Sequence, residues 1–260
     1  MPVDWQAVSR IVSPVKNYEV LIQDLTESFA YDFIRQAFDY SMPELVEYTR
    51  RGLGSDPREA YRESAARVIA GFETLEAVGI ISVLDLLAKV DLRPRLEAFT
   101  ENKKVPAAGV AGILKYLYYW FVPRKKPLAS LMRDDTPMRP AIKALADMGI
   151  RSSLDMLAHG RSKTERKLLA DTSRLPVELI TELVNRADLS RMPWASKATI
   201  SNIIAAGYPS LASLVAAEPQ KLYADYSAYG RSIGKNLKLG NEIENCHRIA
   251  LTLPLILQPE

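Results

Sequence analysis

The stretch "MGIRSSLDMLAHG", residues 148–160, repeats a phrase used seventy residues earlier, "VGIISVLDLLAKV" at residues 78–90. Setting residue n against n + 70 places Leu75 on Leu145, Gly79 on Gly149 and Ile80 on Ile150. Ser82, Leu84, Asp85, Leu87 and Ala88 then fall on Ser152, Leu154, Asp155, Leu157 and Ala158. The register runs on without a gap, so that Pro106 meets Pro176 and "VP" at 122–123 meets "MP" at 192–193. A third phrase, "IIAAGYPSLASLVA" at 203–216, puts Ile203, Gly207, Ser210, Leu214 and Ala216 in the same slots.

Each phrase has a physical meaning. Gly79, Gly149 and Gly207 supply the left-handed residue that closes a helix. The apolar residue that follows (Ile80, Ile150 or Tyr208) packs back on that helix. Ser82, Ser152 and Ser210 then cap a new helix, with Asp85 and Asp155 three residues on, as in a capping box; Ser213 is a weaker partner in the third phrase. Three helix–tight turn–helix corners are therefore predicted. The constant register predicts an internal duplication of small helical units that bury their faces against one another.

Outside the phrases the pattern is also helical. In "YEVLIQDLTESFAYDFIRQAF", residues 18–38, apolar residues recur every four positions and predict one long helix. Pro43 and "GLGSDP" at 52–57 interrupt the pattern, after which Asp56 as N-cap and Pro57 as first residue predict a helix to about Ala70. No stretch alternates as a half-buried strand does. The reading is all-α, with a helical N-terminal region at 1–70 and a duplicated array at 71–260, its copies near 74–143, 144–202 and 203–260.

The net charge of +3 is spread unevenly: 8 basic and 11 acidic residues in 1–70, 19 and 15 in 71–190, 7 and 5 in 191–260. That asymmetry is too small to imply a nucleic-acid partner by charge alone. The single cysteine, Cys246, excludes an internal disulfide and fits a reducing compartment. The start "MPVDWQAVSR" does not read as a signal peptide, and the most apolar run, "ILKYLYYWFV" at 113–122, is half the length of a membrane span. A cytoplasmic location is expected.

Residues 169–219 resemble a bacterial and archaeal domain of the helix-hairpin-helix type whose function is unassigned. The residues that carry the resemblance are "LA-x-T" at 169–172, "VNRADLSRM" at 184–192 and "AAGYPSLASL" at 205–214. With the earlier copy included, it extends to about two-thirds of the chain. It implies degenerate tandem copies of a helical hairpin and, by analogy with related hairpins, sequence-independent contact with nucleic-acid backbones. Hairpins of that binding kind carry Gly-x-Gly, which lets backbone N–H groups approach a phosphate. Here the slot reads Trp194-Ala195-Ser196 and, in the preceding unit, Arg124-Lys125-Lys126. Side chains fill the space a phosphate needs.

No catalytic constellation emerges. "GRSIG" at 230–234 matches a nucleophile elbow, but the elbow needs a strand before it, and the preceding Tyr223, Tyr226 and Tyr229 are spaced as one helical face. The same stretch fails as a P-loop, with three residues between its glycines and Asn236 in the place of Ser or Thr. Its glycines at 230, 234 and 240 read instead as an ordered loop, followed by an Asn241–Glu244 capping box. Cys246 and His247, adjacent on a helix, diverge by about 100° and are poor joint ligands; the second histidine, His159, is distant. "RDD" at 133–135 reads as a loop end or a cap. No enzyme, cofactor or metal is expected.

Two cationic clusters remain. Arg124, Lys125 and Lys126 follow an aromatic run: either stacking plus phosphate contact or docking at a membrane surface, or core aromatics whose helix end favours cations. Arg231, Lys235 and Lys238 read either as an anion-binding loop or as a solvated connector. The tail "LPLILQPE" either tucks into the core or presents Leu255, Ile256 and Leu257, together with Trp194, to a partner. The expected role is a non-catalytic adaptor or structural subunit that binds another protein or itself, with sequence-independent nucleic-acid binding as the alternative.

Overall fold

All three expected corners are present, and each is closed by the same two hydrogen bonds. Gly79, Gly149 and Gly207 have φ of 92°, 88° and 100°. The next residue's N–H reaches back five positions: Ile80 to the Leu75 carbonyl at 3.0 Å, Ile150 to Leu145 at 2.9 Å, Tyr208 to Ile203 at 3.2 Å. The glycine N–H itself bonds three residues back, to Glu76, Ala146 and Ile204. This is the Schellman closure, with the apolar residue after the glycine buried in every case. Ser82, Ser152 and Ser210 then accept from the N–H three residues on. Asp155 and Ser213 complete reciprocal capping boxes, whereas Asp85 accepts from the Ile81 N–H at 3.1 Å.

The structure is a computed structural model that describes residues 3–132, 138–193, 195–237 and 242–258. Trp194, Lys238, Asn241 and the "RDD" stretch lie outside the described residues. The chain divides into two compact units, Met1–Arg124 and Lys125–Glu260. The first holds α1 (Trp5–Val12), α2 (Tyr18–Phe29), α3 (Asp32–Phe38), α4 (Met42–Arg51), α5 (Glu59–Ala77), α6 (Val83–Val90), α7 (Arg93–Lys103) and α8 (Ala107–Tyr116), which a π-helical turn at Leu117–Phe121 extends. The second opens with a 3₁₀ turn, Leu128–Leu131. It continues with α9 (Met138–Asp147), α10 (Ser153–Ala158), α11 (Lys163–Ser173), α12 (Val177–Leu189), α13 (Lys197–Ala205), α14 (Leu211–Val215), α15 (Pro219–Ser232) and α16 (Glu242–Ala250). Among the described residues there is no strand beyond two isolated bridges, Ser41–Ser82 and Pro127–Ser152. The fold is all-α.

The offset of 70 holds at the level of helix ends. α7 and α11 start and stop at corresponding residues, and each ends on a left-handed cap, Lys104 and Arg174, both with φ 56°. α8 and α12 both begin directly after the corresponding prolines, Pro106 and Pro176. Beyond Pro123 and Pro193 the two stretches part: Lys126 leads into the Pro127-capped 3₁₀ turn, while Ser196 caps α13.

Three expectations are corrected. The boundary at 70/71 falls inside α5, which runs unbroken to Ala77, and the compact division comes after Arg124 instead. The long helix over 18–38 breaks at Ala30–Tyr31. Arg35 Nη1 reaches back to the Phe29 carbonyl at 3.0 Å, closing α2 while Tyr31, with extended backbone, opens α3; Phe29 and Phe33 are both buried across the break. Asp56 does not cap a helix starting at Pro57. Its buried carboxylate takes the backbone N–H and the guanidinium of Arg58, and α5 begins at Glu59.

The second corner gives a direct stability test. Ser152→Ala removes the acceptor for the Asp155 N–H and the hydroxyl that bonds Asp155 Oδ2, and is expected to cost about 1 kcal/mol. Gly149→Ala, forced to hold positive φ, should cost about as much again. Denaturant midpoints check both; a midpoint unchanged in both variants would show that the corner contributes nothing.

Candidate functional site

Most of the aromatic run ahead of the first cationic cluster is core, with Tyr119 and Trp120 half-buried. Tyr116, Leu117 and Phe121 are buried, and Phe121 meets Phe38, Tyr40 and Tyr48 edge to face with ring centres 4.8–5.6 Å apart. The π-helical turn, closed by Val122 N–H to the Leu117 carbonyl at 2.7 Å, inserts the extra residue that turns these rings inward. Arg124 lies over Tyr118 and Tyr119, 4.7 and 5.2 Å from the ring centres. In the second unit Lys125 is exposed. Lys126 is committed to the fold: its backbone pairs with Ser153, and its ammonium donates to the Ser190 carbonyl at 2.5 Å, at the end of α12 where a helix favours a cation.

The second cluster sits on a fourth corner that the sequence reading took for a loop. Gly230, Arg231 and Ser232 belong to the last turn of α15. Gly234, φ 67°, closes that helix by the same pair of bonds: Lys235 N–H to the Gly230 carbonyl at 2.8 Å and Gly234 N–H to Arg231 at 3.1 Å. Gly230 is needed for space, since a Cβ there would lie 2.8 Å from the Lys235 carbonyl oxygen. In the slot where the other corners bury an apolar residue, this one holds Lys235, which is exposed, as is Arg231. Both border a groove of about 480 Å³ with Ser227 and Asn236.

The tail is partly tucked and firmly held. Leu253 is buried, the Pro254 carbonyl accepts from Arg191 Nη1 at 3.0 Å, and the Gln258 N–H donates to the Arg161 carbonyl at 3.0 Å. Leu255 nevertheless stays 54% exposed, as does Leu251 just after α16, while Ile256 and Leu257 are half-buried. Beneath the tail lies a buried pair that sequence reasoning passed over, although it stands within the quoted "VNRADLSRM": Asp188 and Arg191, with Nε 2.8 Å from Oδ1. Burial raises the Asp188 carboxyl, against the pull of Arg191 and of the Leu211 N–H. The signal was the i, i+3 spacing of opposite charges across the end of α12, among the apolar Ala187, Leu189 and Met192.

A half-buried carboxylate ties α13, α15 and α16 together. Glu242 accepts from Thr199 and from Tyr226, each at 2.6 Å, and burial drives the Tyr226 phenol far above its ordinary value. Cys246 is buried close by, its thiol pushed up to about 12 by burial and then by Glu242. His247 is buried against Tyr223 with its Nε2 unbonded, and burial lowers its pKa. The neutral ring is thus the folded form. Stability is complete above the ordinary histidine value of about 6.5 and falls as pH drops through it, by up to about 1.4 kcal/mol per pH unit. His247→Phe should remove this slope in unfolding curves between pH 7 and 5; an identical slope in the variant would assign it elsewhere.

Among the described residues no three His, Cys, Asp or Glu side chains converge as metal ligands, and no helix is long and apolar enough to cross a membrane. No curated protein and no solved structure gives a significant match to the chain. Residues 139–248, which contain the second and third corners, the basic α15 corner and the Asp188–Arg191 pair, match the family described as a domain of unknown function (DUF4332).

Proposed function

We propose that the chain is a non-catalytic adaptor or structural subunit that docks another protein, working in the cytoplasm and built from degenerate helix-hairpin-helix-type units in tandem. The shared helix ends at an offset of 70 support the tandem reading. The observation that carries the docking reading is the C-terminal strip. Leu251 and Leu255 are each 54% exposed on a segment anchored by Arg191 and Arg161. An ordered apolar strip loses little freedom when it is covered, so its burial goes largely into affinity.

The double variant Leu251→Ser, Leu255→Ser is expected to melt within about 0.5 kcal/mol of the wild type, as exposed substitutions do. It should lose a nuclease-resistant partner in pull-downs from the native source, or lose self-association in sedimentation. A variant that folds and still associates normally would remove the strip from the interface.

A second reading, contact with nucleic-acid backbones, is favoured by one feature: Arg231 and Lys235 project beside Ser227 and Asn236 at the fourth corner. Two phosphate contacts on a single strand give a log affinity that falls against log salt with a slope of roughly −1.4. Arg231→Gln with Lys235→Gln should abolish such binding to a single-stranded oligonucleotide. A slope near zero, or binding unchanged in the variant, would dismiss this reading.

A further inference from the structure

The first unit provides an internal template. α1 runs alongside α8 in the same direction. Its start, at Asp4 and Ala7, faces Lys104–Ala108 across a cleft, and at its end the Ser13 carbonyl accepts from Lys115 Nζ. Trp5 anchors it against α7, with the Arg93 guanidinium 4.4 Å from its ring centre and its indole N–H donating to Glu97 at 2.8 Å. Ala111, between Ala108 and Lys115 on the same face, is fully buried. So α7 and α8 together make a seat for a two-turn helix.

Adding 70 to the seat residues Arg93, Ala107, Ala108, Ala111 and Lys115 gives Lys163, Val177, Glu178, Thr181 and Asn185. All five line one groove of about 500 Å³ in the second unit, bounded also by Arg166, Glu182, Ile204 and Pro209; Arg166 is engaged by the Gly160 and Arg161 carbonyls and Glu182 by Arg186. The corresponding face is open there: Val177 is 39% exposed, Glu178 is exposed, and Thr181 is half-buried where Ala111 is covered.

We infer that this groove along α12 is a second helix seat, and that its occupant is an amphipathic helix of a partner protein, about two turns long, lying parallel to α12 with a basic residue in its first turns. The direction follows from the first unit, where α1 runs with α8, and from the two ends of the groove. Glu178 stands where the occupant begins, and a carboxylate favours the partially positive start of a helix. Asn185 stands where it ends, with amide donors that can serve a last-turn carbonyl as Lys115 serves Ser13. The basic residue follows from Glu178 itself, which replaces Ala108 opposite the start of α1, near Ala7. Lys163 replaces Arg93, the cation over Trp5, and so suits an aromatic side chain near the start of the occupant. This site is separate from the tail strip, so failure of one leaves the other standing.

The probes are two synthetic peptides spanning residues 3–15, one with the native sequence and one with Ala7→Lys, titrated into the isotope-labelled full chain by NMR. Both should shift signals of Lys163, Val177, Thr181 and Asn185 while leaving those of Trp5 and Ala107–Lys115 in place. The lysine peptide should bind tighter by on the order of threefold, the effect of one exposed ion pair. Glu178→Gln should erase that preference, and Thr181→Trp should block both peptides. No shifts at millimolar peptide would overturn the inference, as would shifts confined to α8 with release of Trp5, or a lysine preference that survives Glu178→Gln.

Discussion

Arg191→Met is expected to destabilise the second unit by about 3–5 kcal/mol at neutral pH, because it leaves the Asp188 carboxylate buried without its counter-charge. Asp188 is 2% exposed, so water cannot take over the role of the guanidinium. Its carboxyl is already raised by burial, and removing Arg191 takes away the strongest influence opposing that rise. The folded variant then takes up a proton at a pH where the unfolded chain is still ionised. Folding gains from that uptake as pH falls, so the penalty of Arg191→Met should shrink between neutral pH and the ordinary carboxylate range near 4. Adding Asp188→Asn should recover most of the loss at neutral pH, since a neutral amide in that place is far cheaper to bury. Denaturant unfolding at pH 7 and pH 5 measures both variants against the wild type. A penalty that does not change with pH, or a double variant no better than the single one, would show that the loss comes from packing and not from charge. The same substitution removes the donor to the Pro254 carbonyl, so amide exchange of the tail should accelerate with it.

The corners were legible in the sequence because their chemistry is local. A glycine at positive φ, an apolar residue after it and a serine three positions on leave little else for the backbone to do, and Gly79, Gly149 and Gly207 follow that rule to the hydrogen bond. Gly234 was missed because its next residue is Lys235 and its cap slot holds Leu237, so only the backbone closure is shared. The break at Ala30–Tyr31 was illegible for a different reason. The apolar spacing continues straight across it, and the interruption comes from the Arg35 side chain bonding to a carbonyl in the preceding turn. The unit boundary was misplaced because it was set where the repeated register begins, after a helix expected to end near Ala70, whereas α5 packs closely with α4 and carries the first unit on to the aromatic turn at 117–121. The helix seat on α12 was hidden because α8 and α12 are similar helices, each beginning directly after a proline. Only the contrast between buried Ala111 and half-open Thr181 shows that one face is covered and the other is not. Lys126 looked like a free hairpin cation in sequence, but its ammonium serves the end of α12.

The second large effect is expected at Arg186, one of the most deeply buried side chains in the protein, 1% exposed. Its Nη1 donates to the Leu131 carbonyl and to Ser201, each at 3.1 Å, and its Nε to Glu182 at 3.0 Å. One guanidinium therefore holds together the 3₁₀ turn, α12 and α13. Arg186→Met keeps much of the volume but leaves the Leu131 carbonyl without this donor in the interior, which alone costs about 1–3 kcal/mol. Imperfect filling of the site adds to this, for a total of about 2–4 kcal/mol. Glu182, 27% exposed at its side chain, can turn to water and adds little. Arg186→Lys should recover only a small part, because a single ammonium cannot reproduce a fork aimed at three acceptors. The local signature is specific. Amide exchange at Leu128 and Ser130, and in α13, should quicken in both variants, while exchange in α15 changes less. Full rescue by lysine would mean that the charge alone matters. A loss below 1 kcal/mol in the methionine variant would mean that the turn is held by the Pro127–Ser152 bridge and its neighbouring backbone bonds, Leu128 N–H to Arg151 and Ser153 N–H to Lys126, without help from Arg186.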